Sequence, residues 1–100
     1  MARIRFKKVG LTVEFYREGN KFIAYSPTLQ LSTCGDTQGQ AKRRFEEALS
    51  CFLEEAEKMG TLDDILLECG WQKIDRPQKH WQPPIFIGQT YEEVSMPCPT

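Results

Sequence analysis

The residues best equipped for chemistry in this 100-residue chain are its carboxylates. Metal-dependent phosphoryl transfer needs several of them converging on one or two cations. The candidates are Glu14 in an alternating stretch, Asp36 just ahead of a helical run, and Glu46 and Glu47 inside that run. Asp36 has a sufficient task as a turn or cap residue. Glu46 and Glu47 fall opposite the apolar stripe of their helix, so only Glu14 is suggestively placed. One carboxylate does not make a metal site. The cysteines, at 34, 51, 69 and 98, form no C-x-x-C pair, and the single histidine, His80, lies between Lys79 and Trp81 in a proline-rich run. That pattern gives a zinc site little support. Cys51 reads as a small packing residue beside the helical stripe, and no serine or cysteine is paired with a base. The expectation is no catalytic residue, no metal and no cofactor: a protein that is not an enzyme.

The elements that would position these groups follow from periodicity. Arg3, Arg5 and Lys7 alternate with Ile4 and Phe6, and Leu11, Val13 and Phe15 with Thr12, Glu14 and Tyr16. This predicts one long first strand bent near Gly10, or two shorter ones. The basic side chains read as the solvated side of a sheet. Glu18-Gly19-Asn20 marks a hairpin turn. Phe22 to Ser26 alternates again and should stop at Pro27, which lacks an N–H. Leu29 and Leu31, alternating with Gln30 and Ser32, predict a third strand over 29–33. Gly35 permits a sharp turn, Asp36 or Thr37 serves as N-cap, and Thr37 with Gln40 has capping-box spacing.

From Thr37 to Met59 the apolar residues Ala41, Phe45, Ala48, Leu49, Phe52, Leu53, Ala56 and Met59 recur at helical spacing. They predict a long helix with one stripe packed on the sheet. The run Lys42-Arg43-Arg44 is followed by Glu46 and Glu47 and reads as a solvated face rather than a nucleic-acid contact. Gly60 should end this helix in a left-handed cap, and Thr61 should cap a short second helix stopped by Gly70. Leu62, Ile65, Leu66 and Cys69 should face inward, with Trp71 closing the core. Asp75 to Pro84 is proline-rich and aperiodic, which predicts an extended surface connection. Ile85-Phe86-Ile87 and Tyr91 to Met96 regain strand-like content and predict an arm that pairs with a sheet edge, its own or a neighbour's. Self-association through Trp81, Ile85, Phe86, Ile87 and Val94 is therefore expected. The predicted class is α+β: a three-stranded antiparallel meander on one long helix, then a short helix and a C-terminal strand-like arm. The division is a domain over 1–74 and an extended arm over 75–100.

The run from Phe22 to Ala48, with Ala24, Pro27, Leu29, Gly35, Asp36, Thr37 and Ala41 in their order and spacing, resembles the HicB family of bacterial and archaeal antitoxins. The similarity covers roughly Leu11 to Trp71. One departure is Gln40, where the family often carries an acid just before the helical alanine. It exchanges a charge near the helix N-terminus for a neutral partner, a loss of about 0.3–1 kcal/mol. The resemblance implies a partial ribonuclease-H-like fold, hence the attention to carboxylates above. It also implies an antitoxin that sterically neutralises a HicA-like toxin, a small mRNA-cleaving ribonuclease that carries the catalytic histidine itself. A basic RNA-binding partner suits acidic residues on its inhibitor. Glu14, Glu18, Glu46 and Glu47 form the candidate partner surface, with Glu54 and Glu55 as further possibilities. Many relatives append a DNA-binding domain; the proline-rich stretch after Trp71 has no amphipathic helix for one, so direct DNA binding is not expected. Two alternatives stay open: an orphan oligomeric protein-interaction module with no toxin partner, and a degenerate or active nuclease.

Composition sets the outer bounds. One hundred residues suffice for a single core without metal or disulfide staples. A net charge of −1 and a pI near 5.8 provide no global attraction to nucleic acid or membranes. The basic N-terminus lacks the apolar run of a signal peptide, and no stretch is long and apolar enough to span a bilayer. A cytoplasmic protein with reduced cysteines is expected.

Overall fold

A computed structural model describes residues 8–100 of the protein. Strands β1 (Glu14–Glu18), β2 (Lys21–Ser26) and β3 (Leu31–Gly35) form an antiparallel sheet in the order β1-β2-β3. Helix α1 (Gln38–Lys58) lies across β3 and β2, followed by α2 (Leu62–Glu68). A hairpin of β4 (Gln72–Ile74) and β5 (His80–Gln82) closes the ordered elements. The class is the expected α+β meander on a long helix.

The β1–β2 hairpin is set by its turn. Glu18 pairs with Lys21 across Gly19-Asn20, and of these two only Gly19 has positive φ, at 62°. A positive φ confined to the first central residue is the pattern of a type II′ turn, whose twist suits a hairpin. Pairing ends at Glu14↔Tyr25. Beyond it β2 has only Ser26 before Pro27, whose missing N–H cannot extend a ladder. Of the expected long first strand or two shorter ones, β1 keeps only the end from Glu14: residues 8–13 form no strand, and the part expected over residues 3–7 lies outside the described residues.

The third strand is also displaced, from 29–33 to Leu31–Gly35. Gln30 adopts a positive φ of 55° and ends a turn over Pro27–Gln30. Leu29 thus reaches the core from a turn and is 6% exposed. Its spacing from Leu31 imitates a strand without being one.

Two apolar clusters hold the layers together. Ala24, Ala41 and Phe45 form the first, with Val13, Phe22, Leu31 and Leu49 against it. The small residues Ala24 and Ala41 let α1 approach the sheet closely, and the Thr33 hydroxyl donates to the Ala41 carbonyl at 2.9 Å. Burying Phe45 alone contributes on the order of 2 kcal/mol. The second cluster joins Leu29, Leu66 and Trp71, and Trp71 Nε1 donates to the Thr28 carbonyl at 2.8 Å. Of the predicted stripe, Met59 is exposed: as C-cap of α1 it lies beyond the turns that cover the sheet. Leu53 is exposed at the stripe's margin.

Both helices end in the same way. Gly60 N donates to Glu57 O and Thr61 N to Ala56 O; Gly70 N donates to Leu67 O and Trp71 N to Leu66 O. These are paired Schellman bonds, with Gly60 at φ 71° and Gly70 at φ 86°. The second motif places Trp71 directly over Leu66. Thr61 makes no side-chain cap; its hydroxyl turns back to the Ala56 carbonyl.

The C-terminal part departs most from expectation. The run 75–84 does not simply cross the surface: it turns over Asp75–Lys79 and returns as β5, with Lys73 opposite Trp81. The Lys73 ammonium lies 5.2 Å from the Trp81 ring centroid and 3.2 Å from Asp63 Oδ2. This hairpin straddles the boundary placed at 74/75. From Pro83 onward no residue is in a strand, so neither Ile85–Ile87 nor Tyr91–Met96 pairs with a strand among the described residues.

Candidate functional site: the open face of the sheet

Residues opposite one another in an antiparallel pair share a face, and successive residues alternate. Phe22, Ala24 and Ser26 face α1, as do Thr33 and Gly35 across from them. The other face consequently carries Glu14, Tyr16 and Glu18 from β1, Lys21, Ile23 and Tyr25 from β2, and Ser32 and Cys34 from β3. Tyr16 is 56% exposed, while Ile23 and Tyr25 are half-buried among their strand neighbours. The centre of this face is apolar and aromatic, with Glu14 and Glu18 along one side.

Tyr16 is held in place by its hydroxyl, which donates to Glu14 Oε1 at 2.8 Å. That hydrogen bond, together with the Glu14 charge, pushes the phenol above its ordinary pKa. Tyr16 therefore stays neutral across the physiological range and presents a ring with a fixed tip. The pattern of a neutral aromatic platform with an acidic border suits a protein partner carrying cations. It is poorly matched to a phosphate backbone, which the two glutamates would repel.

The other end of the sheet is occupied by the glycine-aspartate-threonine turn. Thr37 is the N-cap of α1, its hydroxyl accepting from Gln40 N at 3.0 Å. The reciprocal arm of the capping box is shifted by one residue: Gln40 Oε1 accepts from Asp36 N at 2.6 Å rather than from the cap itself. Asp36 pairs with Lys21, whose hydrogen bond and charge hold its carboxyl below the usual range. Gly35 is buried because α1 starts directly against it; a Cβ there would lie 2.8 Å from Ala41 N. Ala24, Leu29, Gly35, Thr37 and Ala41 are thus packing and capping residues, and Pro27 and Asp36 are exposed at turns.

The four glutamates of the expected partner surface do not come together. Glu14 and Glu18 lie on the open sheet face, while Glu46 and Glu47 lie on the outer side of α1, where Glu46 pairs with Lys42. The helix and sheet layers separate the two pairs. Nor do Glu14, Asp36, Glu46 and Glu47 converge: among the described residues no group of three or more His, Cys, Asp or Glu side chains could hold a metal ion. His80 Nδ1 is spent on the Gln78 carbonyl at 2.8 Å. All four cysteines are free.

Of the residues expected to mediate self-association, Trp81 does something else. It is half-buried against the Leu29–Leu66–Trp71 cluster and belongs to the protein's own fold. Ile85, Phe86, Ile87 and Val94 are 71%, 60%, 95% and 70% exposed. The candidate residues that sequence reasoning did not single out are Tyr16, Ile23 and Tyr25 of the open face. Their alternation was visible, but which of the two faces the helix covers was not.

No protein family, characterised protein or solved structure matches the chain. Among the described residues no helix is long and apolar enough to cross a membrane.

Proposed function

We propose that the protein is a non-catalytic, antitoxin-type binding module that neutralises a HicA-like, mRNA-cleaving toxin by covering it. The supporting observation is the open sheet face, where Tyr16, Ile23 and Tyr25 form an aromatic-aliphatic centre beside Glu14 and Glu18. Buried aromatic anchors contribute most of the energy in protein interfaces, and rim charges steer encounter with a complementary partner. A small basic ribonuclease has the required complement. Inhibition is occlusion: the module needs no reacting group, only a surface that competes with RNA. Glu46 and Glu47, on the far side of α1, play no part in this contact. The proposal places the protein in the cytoplasm beside its mRNA-cleaving target.

The test is affinity capture from native lysate, followed by titration of the recovered small basic protein against purified variants. Wild type should bind and suppress its RNA cleavage. Tyr16→Ala with Glu14→Lys should weaken binding at least tenfold at unchanged melting temperature, while Glu46→Lys with Glu47→Lys should not. Failure to recover a ribonuclease, or equal affinity of the Tyr16 and Glu14 variant, overturns the proposal. The exposed arm favours the second reading, an orphan oligomeric interaction module, and recovery of the bait alone would select it.

A further inference from the structure

The C-terminal arm carries apolar side chains that the body does not cover, and we infer that a second copy of the chain covers them. Ile85, Phe86, Ile87, Tyr91, Val94 and Met96 are each between 60% and 95% exposed. At roughly 150 Å² per side chain, scaled by these exposures, they present about 700 Å² of apolar area, close to the ~800 Å² each partner buries in a standard interface. The molecule is also elongated. The radius of gyration is 16.9 Å and the long axis 61 Å against 28 and 22 Å, whereas a compact chain of this length has a radius of about 13 Å.

The surface that takes the arm is the outer edge of β1. A two-residue hairpin makes Glu18 and Lys21 a hydrogen-bonded pair, and alternation then turns the backbone groups of Phe15 and Arg17 outward. On the opposite edge, the same alternation turns Ser32 and Cys34 outward, but Arg44 Nη1 already donates to the Cys34 carbonyl at 2.9 Å. Helix α1 also lies over β3 and β2, leaving Phe15 exposed on the side of the sheet that faces it. The arm leaves the body beside β1, where Pro83 to Phe86 flank a groove with Gly10, Thr12 and Glu14. Two copies related by a two-fold axis can therefore each lay an arm along the other's β1.

The segment of the arm that adds to the edge is Tyr91–Met96. Its six residues match the five of β1, while the three of Ile85–Ile87 would cover only part of that edge. Val94 and Met96 share one face of such a strand and would cover Phe15. Glu92 shares that face with Val94 and Met96, on the side of β1 that carries Arg17, which makes no ion pair among the described residues. This inference does not rest on a toxin partner.

Light scattering coupled to size exclusion tests it on the full chain at about 100 μM. Wild type should run at twice the 11.6 kDa chain mass, and Val94→Asp with Met96→Asp should halve that mass with unchanged helical circular dichroism. Arg17→Pro removes an N–H that points away from β2 and should also give monomer; Ser32→Pro on the other edge should leave the dimer. A monomeric wild type, or a dimer that survives the arm substitutions, overturns the inference. A dimer lost with Ser32→Pro but kept with Arg17→Pro overturns the assignment to β1. Should either proline variant fail to fold, the arm substitutions still decide the matter.

Discussion

Replacing Gly35 with alanine should destabilise the protein, and the reason is steric. Gly35 is not in the left-handed region, so alanine strains no dihedral there. A Cβ would, however, stand 2.8 Å from Ala41 N and 3.0 Å from both Cβ and Oε1 of Gln40. The nearest of these is helix backbone, which cannot rotate away. Either α1 retreats from β3 by several tenths of an ångström, or Gln40 swings out and gives up its bond from Asp36 N. Overpacking of this kind costs about 1–3 kcal/mol, and a lost hydrogen bond about 1 kcal/mol. Against it stands the smaller unfolded-state entropy of alanine, worth about 0.4–1 kcal/mol. The net expectation is a loss of about 1–2 kcal/mol, or a fall in Tm of roughly 5–15 °C for a domain of this size. Thermal and urea unfolding followed by circular dichroism measures it. Gly39→Ala is the matched control: it lies inside α1, where the Cβ would make only ordinary van der Waals contacts, with the far end of Arg43 at 3.8 Å and the Thr37 hydroxyl at 4.0 Å. That variant should gain about 0.5–1 kcal/mol. If Gly35→Ala proves as stable as wild type, the close approach of α1 to β3 is wrong.

Two further outcomes follow from named contacts. Trp71→Phe leaves the Thr28 carbonyl without its 2.8 Å donor and opens space in the Leu29–Leu66 cluster; a loss of about 1–3 kcal/mol in urea unfolding is expected. Lys21 lowers the Asp36 carboxyl pKa in the folded state, so folded Asp36 binds its proton less readily than unfolded Asp36. Its contribution is present above the ordinary aspartate pKa of 3.8 and is lost as pH falls through the lower folded value. Asp36→Asn should therefore flatten the urea midpoint against pH below about 4, leaving the slope between pH 6 and 8 unchanged.

The central fold was legible because each boundary has a local cause. Gly19-Asn20, Pro27, Thr37, Gly60 and Gly70 punctuate the chain where the structure turns, caps or stops. The misreadings share a different cause: they depend on who sits across from whom. Leu29 and Leu31 are two apart in either a strand or a turn, and only the core on one side decides between them. β4 and β5 are three residues each, too short to show alternation, and the Lys73–Trp81 stacking that joins them is cross-strand. The candidate site suffered likewise. Glu14 and Glu46 are equally acidic in sequence, and only the layering of helix on sheet puts them on opposite sides of the protein.

That layering also separates the two surfaces proposed for partners. A strand added to β1 binds in the plane of the sheet, through the outward backbone of Phe15 and Arg17. A toxin docked on Tyr16, Ile23 and Tyr25 approaches perpendicular to that plane, through side chains alone. Because successive residues of β1 serve the two directions in alternation, the same five-residue strand can offer both without competition. Each set of substitutions then acts as a control for the other. Charges placed at Val94 and Met96 should dissolve the dimer while leaving every subunit's open face intact, and Glu14→Lys with Tyr16→Ala should leave the dimer at its full mass. An arm variant that lost toxin binding together with the dimer would mean that the recognition surface spans two subunits, with Tyr91, Glu93 and Ser95 of the partner's added strand extending the open face beside β1.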